Sequence, residues 1–407
     1  MEKHIQLVKI PAENYSDYRY EVIFQAYKWD PQVEDDNTVS QYVAVLDETA
    51  VAELAALAEQ LAVETVAMET ELLDNLHFGR ELGLPPVMCR SMKKATNYQK
   101  EDHVRLMRFD FHPTDQGWQI SEVNSDVPGG FAESSILPEI ASEYVPDVQP
   151  SENFASHLFK AFEKRISPGG TIGFVHATSY ADDRQVMQFM GDYFEKAGYQ
   201  ALYLAPDHLV FDDYRAYSLL DNHKQPLAGI IRFFPLEWMT RLPFSAKWQG
   251  YYATLTPSCN HPVAMLTQPK SLPLIWPKLQ SDCQTWQQLL PETKKVYPLD
   301  YDDQQYLYKP VFGRVGGDIT IKEATSEKEF KSIRKEALKR KKEWIVQKRF
   351  NSQPIQTEDG QSFHLCIGVF VIDGAFAGFY GRISPYARID EKARDIPILM
   401  KRAKEEL

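Results

Sequence analysis

The chain has 407 residues, 43% apolar and 25% charged, with a formal net charge of −12. Such proportions belong to a globular protein long enough for two or three cores, and the absence of any basic domain argues against general nucleic-acid binding. No run approaches the ~20 apolar residues that span a bilayer. The start Met1-Glu-Lys-His lacks a signal-peptide pattern, and Cys89, Cys259, Cys283 and Cys366 fall in no zinc spacing, so reduced cysteines and a cytoplasmic location are expected.

Residues 46–78 place Val51, Leu54, Leu57, Leu61, Met68 and Leu72 at helical spacing, with Asp47 able to cap the first turn. This helix is scaffold. Next, Met107, Phe109 and Phe111 alternate with Arg108, Asp110 and His112, the period of a half-buried strand. Asp115-Gln-Gly117 supplies a turn, and Trp118 to Asp126 a returning strand. With the turn centred near Gln116, Asp110 falls opposite Glu122 and Arg108 opposite Asn124. Facing carboxylates roughly 5 Å apart repel one another and call for a counter-charge. Mg²⁺, which takes oxygen ligands and shares itself with phosphates, would supply it; so would Arg108 on an ordinary surface hairpin. Val127-Pro-Gly-Gly130 ends the hairpin in a flexible turn.

Val145-Pro-Asp-Val-Gln-Pro-Ser151 reads as a domain boundary. Beyond it, the strand Thr171–Val175, a helix from about Asp183 to Gly198, and the strands Ala201–Leu204 and Leu227–Phe234 alternate as in a parallel α/β layer. The last third changes character. Gln305–Lys309 is strand-like, Pro310 leads into Gly313-Arg-Val-Gly-Gly317, and Ser326 with Glu329 forms a capping box for a helix to about Lys342. Trp344–Phe350 reads as a strand. Phe363–Ile372 and Ala375–Tyr380 form a hairpin around Asp373-Gly374.

No phosphate-loop, dinucleotide, nucleophile-elbow or zinc-protease motif is present. Lys309 and the glycines after it could bring a point charge and backbone N–H groups to phosphate oxygens, although a surface lysine beside a flexible turn has the same pattern. Gln347 sits in an apolar strand that could line an adenine ring or simply hydrogen-bond within a core. Lys335, Lys339, Arg340, Lys341 and Lys342 read as the solvated face of a helix. Arg382 could face a phosphate or cap a sheet edge. Together these pieces suit nucleotide-dependent phosphoryl chemistry carried by charge and positioning.

The chain resembles the synthetase domain of the glutathionylspermidine synthase family in Arg108-Phe-Asp110, Glu122-Val-Asn124-Ser-Asp126 and Lys309-Pro-Val-Phe-Gly-Arg-Val-Gly316. More loosely it does so in Ile231 to Trp238, Pro269-Lys270 to Trp276, and Trp344 to Gln347. The resemblance implies an α/β (α+β) fold, a circularly permuted ATP-grasp with an additional α/β preATP-grasp-like domain. Its implied divisions are 1–150, a helical region plus the metal-site hairpin; 151–265, the preATP-grasp-like part; and 266–407, the lid and nucleotide-binding region. It further implies an ATP-dependent carbon–nitrogen ligase working through an acyl phosphate. By the same match Asp110, Glu122 and Asn124 hold Mg²⁺ on ATP, and Arg108 steadies the transferring phosphoryl group. Lys270 and Lys309 take nucleotide phosphates, Gly313, Gly316 and Gly317 form the flap, Gln347 lies near adenine, and Arg382 matches a late arginine. The implied substrates are a glutathione-like carboxylate and a polyamine-like amine, with no nucleic acid or membrane as partner. Val127-Pro-Gly-Gly130 stands where the family carries small hydroxyl residues. Amino-acid or natural-product substrates, a small-molecule kinase and a non-catalytic nucleotide-binding module are therefore the alternatives.

Overall fold

The structure, a computed structural model, describes residues 4–297, 304–313, 319–321 and 324–402. Its centre is a six-stranded sheet. Leu106–Thr114 and Gly117–Asn124 form the expected hairpin, and Leu106–Thr114 also pairs antiparallel with Ser362–Ile372, which pairs with Ala375–Ser384. Arg394–Ile396 closes one edge, and Pro354–Gln356 adds to Ser362–Ile372. The two hairpins read from the sequence are thus one sheet, with Asp110 opposite Gly368. Asp373 and Gly374 turn the second hairpin with φ of 51° and 88°, the left-handed pair that an Asp-Gly turn supplies.

The register of the first hairpin arises in two steps. Thr114 pairs with Gly117, so the turn holds two residues, Asp115 and Gln116, and Phe111 faces Ile120. A bulge at Ser121 then shifts the pairing by one, and Asp110 falls opposite Glu122 with Arg108 opposite Asn124. The expected half-burial of this strand is corrected. Met107, Phe109 and Phe111 are fully buried with the helix Glu48–Asp74 packed over the sheet, yet Asp110 and His112 on the other face are only 7% and 6% exposed. That second face floors a cavity rather than meeting solvent.

Asp47 caps the long helix by accepting from the Ala50 N–H at 2.9 Å. The helix ends at Asp74, and Leu76–Arg80 tighten into a 3₁₀ turn. The α/β layer is parallel as read: Ser258–Cys259, Gly229–Phe233, Thr171–His176 and Gln200–Leu204 lie side by side in that order, with the helix Ala181–Lys196 crossing between the last two. A further sheet, not read from the sequence, orders Ile5–Lys9, Tyr42–Leu46, Ile398–Lys401 and Val148–Pro150. The proline-bearing segment 145–151 therefore contributes a strand. Strands from 362–401 pair with strands from the first 150 residues.

Above the cavity lies a small sheet, Thr293–Lys295, Trp344–Lys348 and Tyr306–Pro310. Its helix Glu327–Lys339 ends three residues before the expected Lys342. Ser326 caps this helix by accepting from the Glu329 N–H at 3.2 Å, while the Glu329 carboxylate reaches Arg388 at 3.1 Å. Among the described residues no helix is long and apolar enough to cross a membrane, and the four cysteines are unpaired.

Candidate active site

The cavity between the central and small sheets holds about 530 Å³. On its floor Arg108 lies across the neighbouring strand and grips Asp110 with both arms of its fork, at 2.7 and 2.9 Å, while a third N–H donates to the Gly129 carbonyl at 2.7 Å. Gly368 makes this possible, since a Cβ there would come within 2.7 Å of the Arg108 Cδ. The guanidinium also stacks 4.9 Å from the Tyr380 ring centroid. Burial works against the Arg108 charge, but Asp110 outweighs it and the group stays firmly protonated. Asn124 donates to the second Asp110 oxygen at 3.1 Å.

Glu122, across from Asp110, is joined by Lys270 at 2.7 Å. Burial pushes the Glu122 carboxyl up, yet Lys270, with Lys309 and Arg108 behind it, prevails and holds it below the usual carboxylate range. Lys309 comes from the small sheet and donates to the Gln347 side-chain oxygen at 2.7 Å and to the Ser121 carbonyl at 3.1 Å. The bulge at Ser121 therefore aims a carbonyl at Lys309, and its hydroxyl lies 3.0 Å from His112 Nε2. Burial is the main influence on Lys309 and brings it down to about 8, with Glu122 opposing and Lys270 assisting. Burial, helped by Lys309, depresses His112 to about 3, so its ring stays neutral. Gln347 is anchored by donating to Thr293 at 3.0 Å.

Of the residues singled out in the sequence, Arg108, Asp110, Glu122, Asn124, Lys309, Gln347 and Arg382 all line this one cavity. Lys270 stands just behind it, lining a smaller space beside Glu122 and Lys309. Gly313 is set apart from the cavity, and its carbonyl accepts from Lys270 at 2.6 Å. Gly316 and Gly317 lie outside the described residues. Arg382 donates to the backbone carbonyls of Asp390 and Ala393, at 2.5 and 3.2 Å, and so holds the loop along the rim. Sequence reading missed Lys28, which bridges Glu133 at 2.6 Å and Asp395 at 2.5 Å on the cavity wall, where Tyr380 also donates to Asp395 at 2.8 Å. No motif marked these residues, because they converge from three distant segments.

Asp110, Glu122 and Asn124 stand at facing register positions of one hairpin, and carboxylate and amide groups are of the chemistry that Mg²⁺ takes. Among the described residues no three His, Cys, Asp or Glu side chains cluster closely enough to hold a metal, so the set rests on two acids and an amide.

Residues 10–401 match the family described as glutathionylspermidine synthase preATP-grasp. Among solved structures, the chain is similar to a glutathione synthetase-like effector from Globodera pallida, with a TM-score of 0.62 at 11% identity over 95% of this chain and 96% of that one. A provisionally assigned gamma-glutamylcysteine synthetase from Methylobacillus flagellatus KT aligns with a TM-score of 0.43 at 13% identity over 82% and 85% of the two chains. No curated protein matches in sequence. The mixed α/β architecture is ATP-grasp-related and glutathione synthetase-like in fold.

Proposed function

The chain belongs to the glutathionylspermidine synthase preATP-grasp family, and from that premise we propose that it is an ATP-dependent carbon–nitrogen ligase joining a peptide-like carboxylate to an amine. One observation carries the reading: Arg108, Asp110, Glu122 and Asn124 on the floor face Lys309 and Gln347 from the small sheet across a single cavity. The phosphates of ATP are assigned to Lys309 and Lys270, with Gly313 at the start of the flap, and its base to the side of Gln347. Asp110, Glu122 and Asn124 would hold Mg²⁺, which when bound neutralises charge on the phosphates.

In this reading a carboxylate oxygen of the first substrate attacks the γ-phosphorus, ADP leaves, and an acyl phosphate results. Arg108, held by the Gly129 carbonyl and the Tyr380 ring, steadies the group in transfer. The amine then attacks the carbonyl carbon, loses a proton, and phosphate departs carrying the original carboxylate oxygen. The protein supplies position and charge, and no side-chain nucleophile is needed. A glutathione-like carboxylate and a polyamine-like amine are the substrates first to be tried.

The test is a screen of carboxylate and amine pairs for ADP release, followed by turnover of the productive pair with ¹⁸O in the carboxylate. Label in the released phosphate is expected. Unlabelled phosphate would overturn the acyl-phosphate route, and a phosphorylated product with no amide would make the protein a kinase. Thermal stabilisation by Mg·ATP without turnover of any pair would make it a binding module.

A further inference from the structure

Neither acid on the cavity floor stands open. Glu122 is paired with Lys270 at 2.7 Å, and Lys270 also holds the Gly313 carbonyl at 2.6 Å. Asp110 is taken by both arms of Arg108 and by Asn124. These side chains are well shielded: Lys270 is 9% exposed, Asp110 10%, Arg108 12% and Glu122 20%. With Lys309 beside them, three cations face two carboxylates, leaving positive charge in excess.

A bare dication entering this cluster would have to strip both acids of their partners and leave Lys270 and Arg108 buried and unpaired, which is strongly unfavourable. A triphosphate arriving without metal meets the converse difficulty. If Lys270 and Arg108 turn to it, two unneutralised carboxylates are left facing phosphate oxygens. When both arrive, each removes the obstacle to the other: the carboxylates pass to the cation, while Lys270, Arg108 and Lys309 pass to the phosphates. From this geometry we infer that Lys270–Glu122 and Arg108–Asp110 are placeholder pairs that make metal and nucleotide binding mutually dependent, so the site admits the metal–triphosphate complex and rejects either part alone. The inference rests on the nucleotide reading above and adds to it a role for the ion pairs themselves.

Binding free energies must be reciprocally coupled, so calorimetry on the full chain tests the idea without any turnover. Three titrations are compared: Mg²⁺ alone, ATP in chelator, and ATP with Mg²⁺, corrected for the complex the two form in buffer. The wild type should show no Mg²⁺ binding alone, and ATP binding at least about 30-fold tighter with metal than without. Lys270→Met frees Glu122 and should bind Mg²⁺ alone while binding metal-free ATP more weakly. Glu122→Gln frees Lys270 and should do the reverse, tightening metal-free ATP. A merely structural role would not move the two variants in opposite directions. Wild type that binds Mg²⁺ alone as tightly as Lys270→Met, or that binds ATP equally with and without metal, would overturn the placeholder role and leave the nucleotide reading intact. Absence of ATP binding in every arm would overturn both.

Discussion

The sheet beneath the cavity buries Phe109, Phe111, Ile367 and Val369 completely within the largest core of the molecule, whereas among the described residues the sheet above it packs on a much smaller cluster that includes Val296, Tyr308, Ile333, Ala337, Trp344 and Val346. Asp110, Glu122, Asn124 and Arg108, which we assign to the metal and the transferring group, stand on the first. Lys309 and Gln347, which we assign to the nucleotide, stand on the second. Polar bridges between the two regions, Lys309 to the Ser121 carbonyl and Arg388 to Glu329, can be broken without opening either core. The contrast teaches that position and adaptability are supplied by different amounts of buried surface, since local opening follows contact density.

Equivalent truncations in the two regions break or sharpen this contrast most directly. Phe109→Ala should lower global stability by about 3–5 kcal/mol in denaturant unfolding. Trp344→Ala should leave that main transition nearly in place and instead speed hydrogen exchange in 306–310 and 344–348. Equal loss in the main transition from both would mean the two sheets unfold as one body.

Next in size is the chemistry of the floor. Asp110→Asn keeps the shape but removes the charge that pairs with Arg108 in the free site and that we assign to the cation in the loaded one, and ATP turnover should fall by about 100-fold or more, with the circular-dichroism melting curve shifted only modestly. Retained turnover would take the acid out of the reaction. Gly368→Ala is subtler. Its Cβ would press the Arg108 side chain, and about 1–3 kcal/mol of strain or misplacement is expected. This should appear as lower kcat with little change in ATP affinity, whereas a loss confined to affinity would argue that Arg108 is not at the transferring group.

The smallest effect belongs to the upper sheet. Lys309 is held down to about 8, so it keeps its proton at neutral pH and sheds it as pH rises through that value. ATP affinity should therefore decline severalfold between about pH 7 and 9. Stability should move the opposite way: the unfolded chain, with an ordinary lysine near 10.5, binds more protons than the folded one between about 8 and 10.5, so this group's contribution improves as pH rises through that window. Lys309→Met should abolish both trends, as read by calorimetry and denaturant midpoints at several pH values. If the slopes survive in the variant, another group carries them.

The facing of Asp110 and Glu122 was legible in the sequence because alternation and a turn signal are local. The bulge at Ser121 was not, and the register came out right only because an expected turn centred on Gln116 equals a two-residue turn plus one extra residue. The hairpins at 106–124 and 362–384 each look complete by themselves, so nothing in either announces that they share a sheet. The partners of the two acids were half legible: Arg108 lies two residues from Asp110, but Lys270 reaches Glu122 from nearly 150 residues away. Lys28, Glu133 and Asp395 have no local pattern at all, and only the folded chain brings them together. Arg382 was legible as a candidate but not as a tether for the rim, which depends on backbone carbonyls that any sequence would supply.

The strand Ile398–Lys401 runs parallel to Tyr42–Leu46 and antiparallel to Val148–Pro150, and Arg394–Ile396 just before it pairs with the central sheet. During synthesis these pairings must wait until nearly all of the described chain has left the ribosome, while the hairpin at 106–124 can form far earlier. Loop-closure entropy must be met before such distant strands are rewarded, which slows folding and lengthens the exposure of unpaired strand edges. The Asp395 wall of the cavity is set by the same late strands. A nascent chain therefore completes this cavity wall only when Ile398–Lys401 has joined its sheet, and partly made molecules should be recognisable to proteases and chaperones by open edges at Tyr42–Leu46.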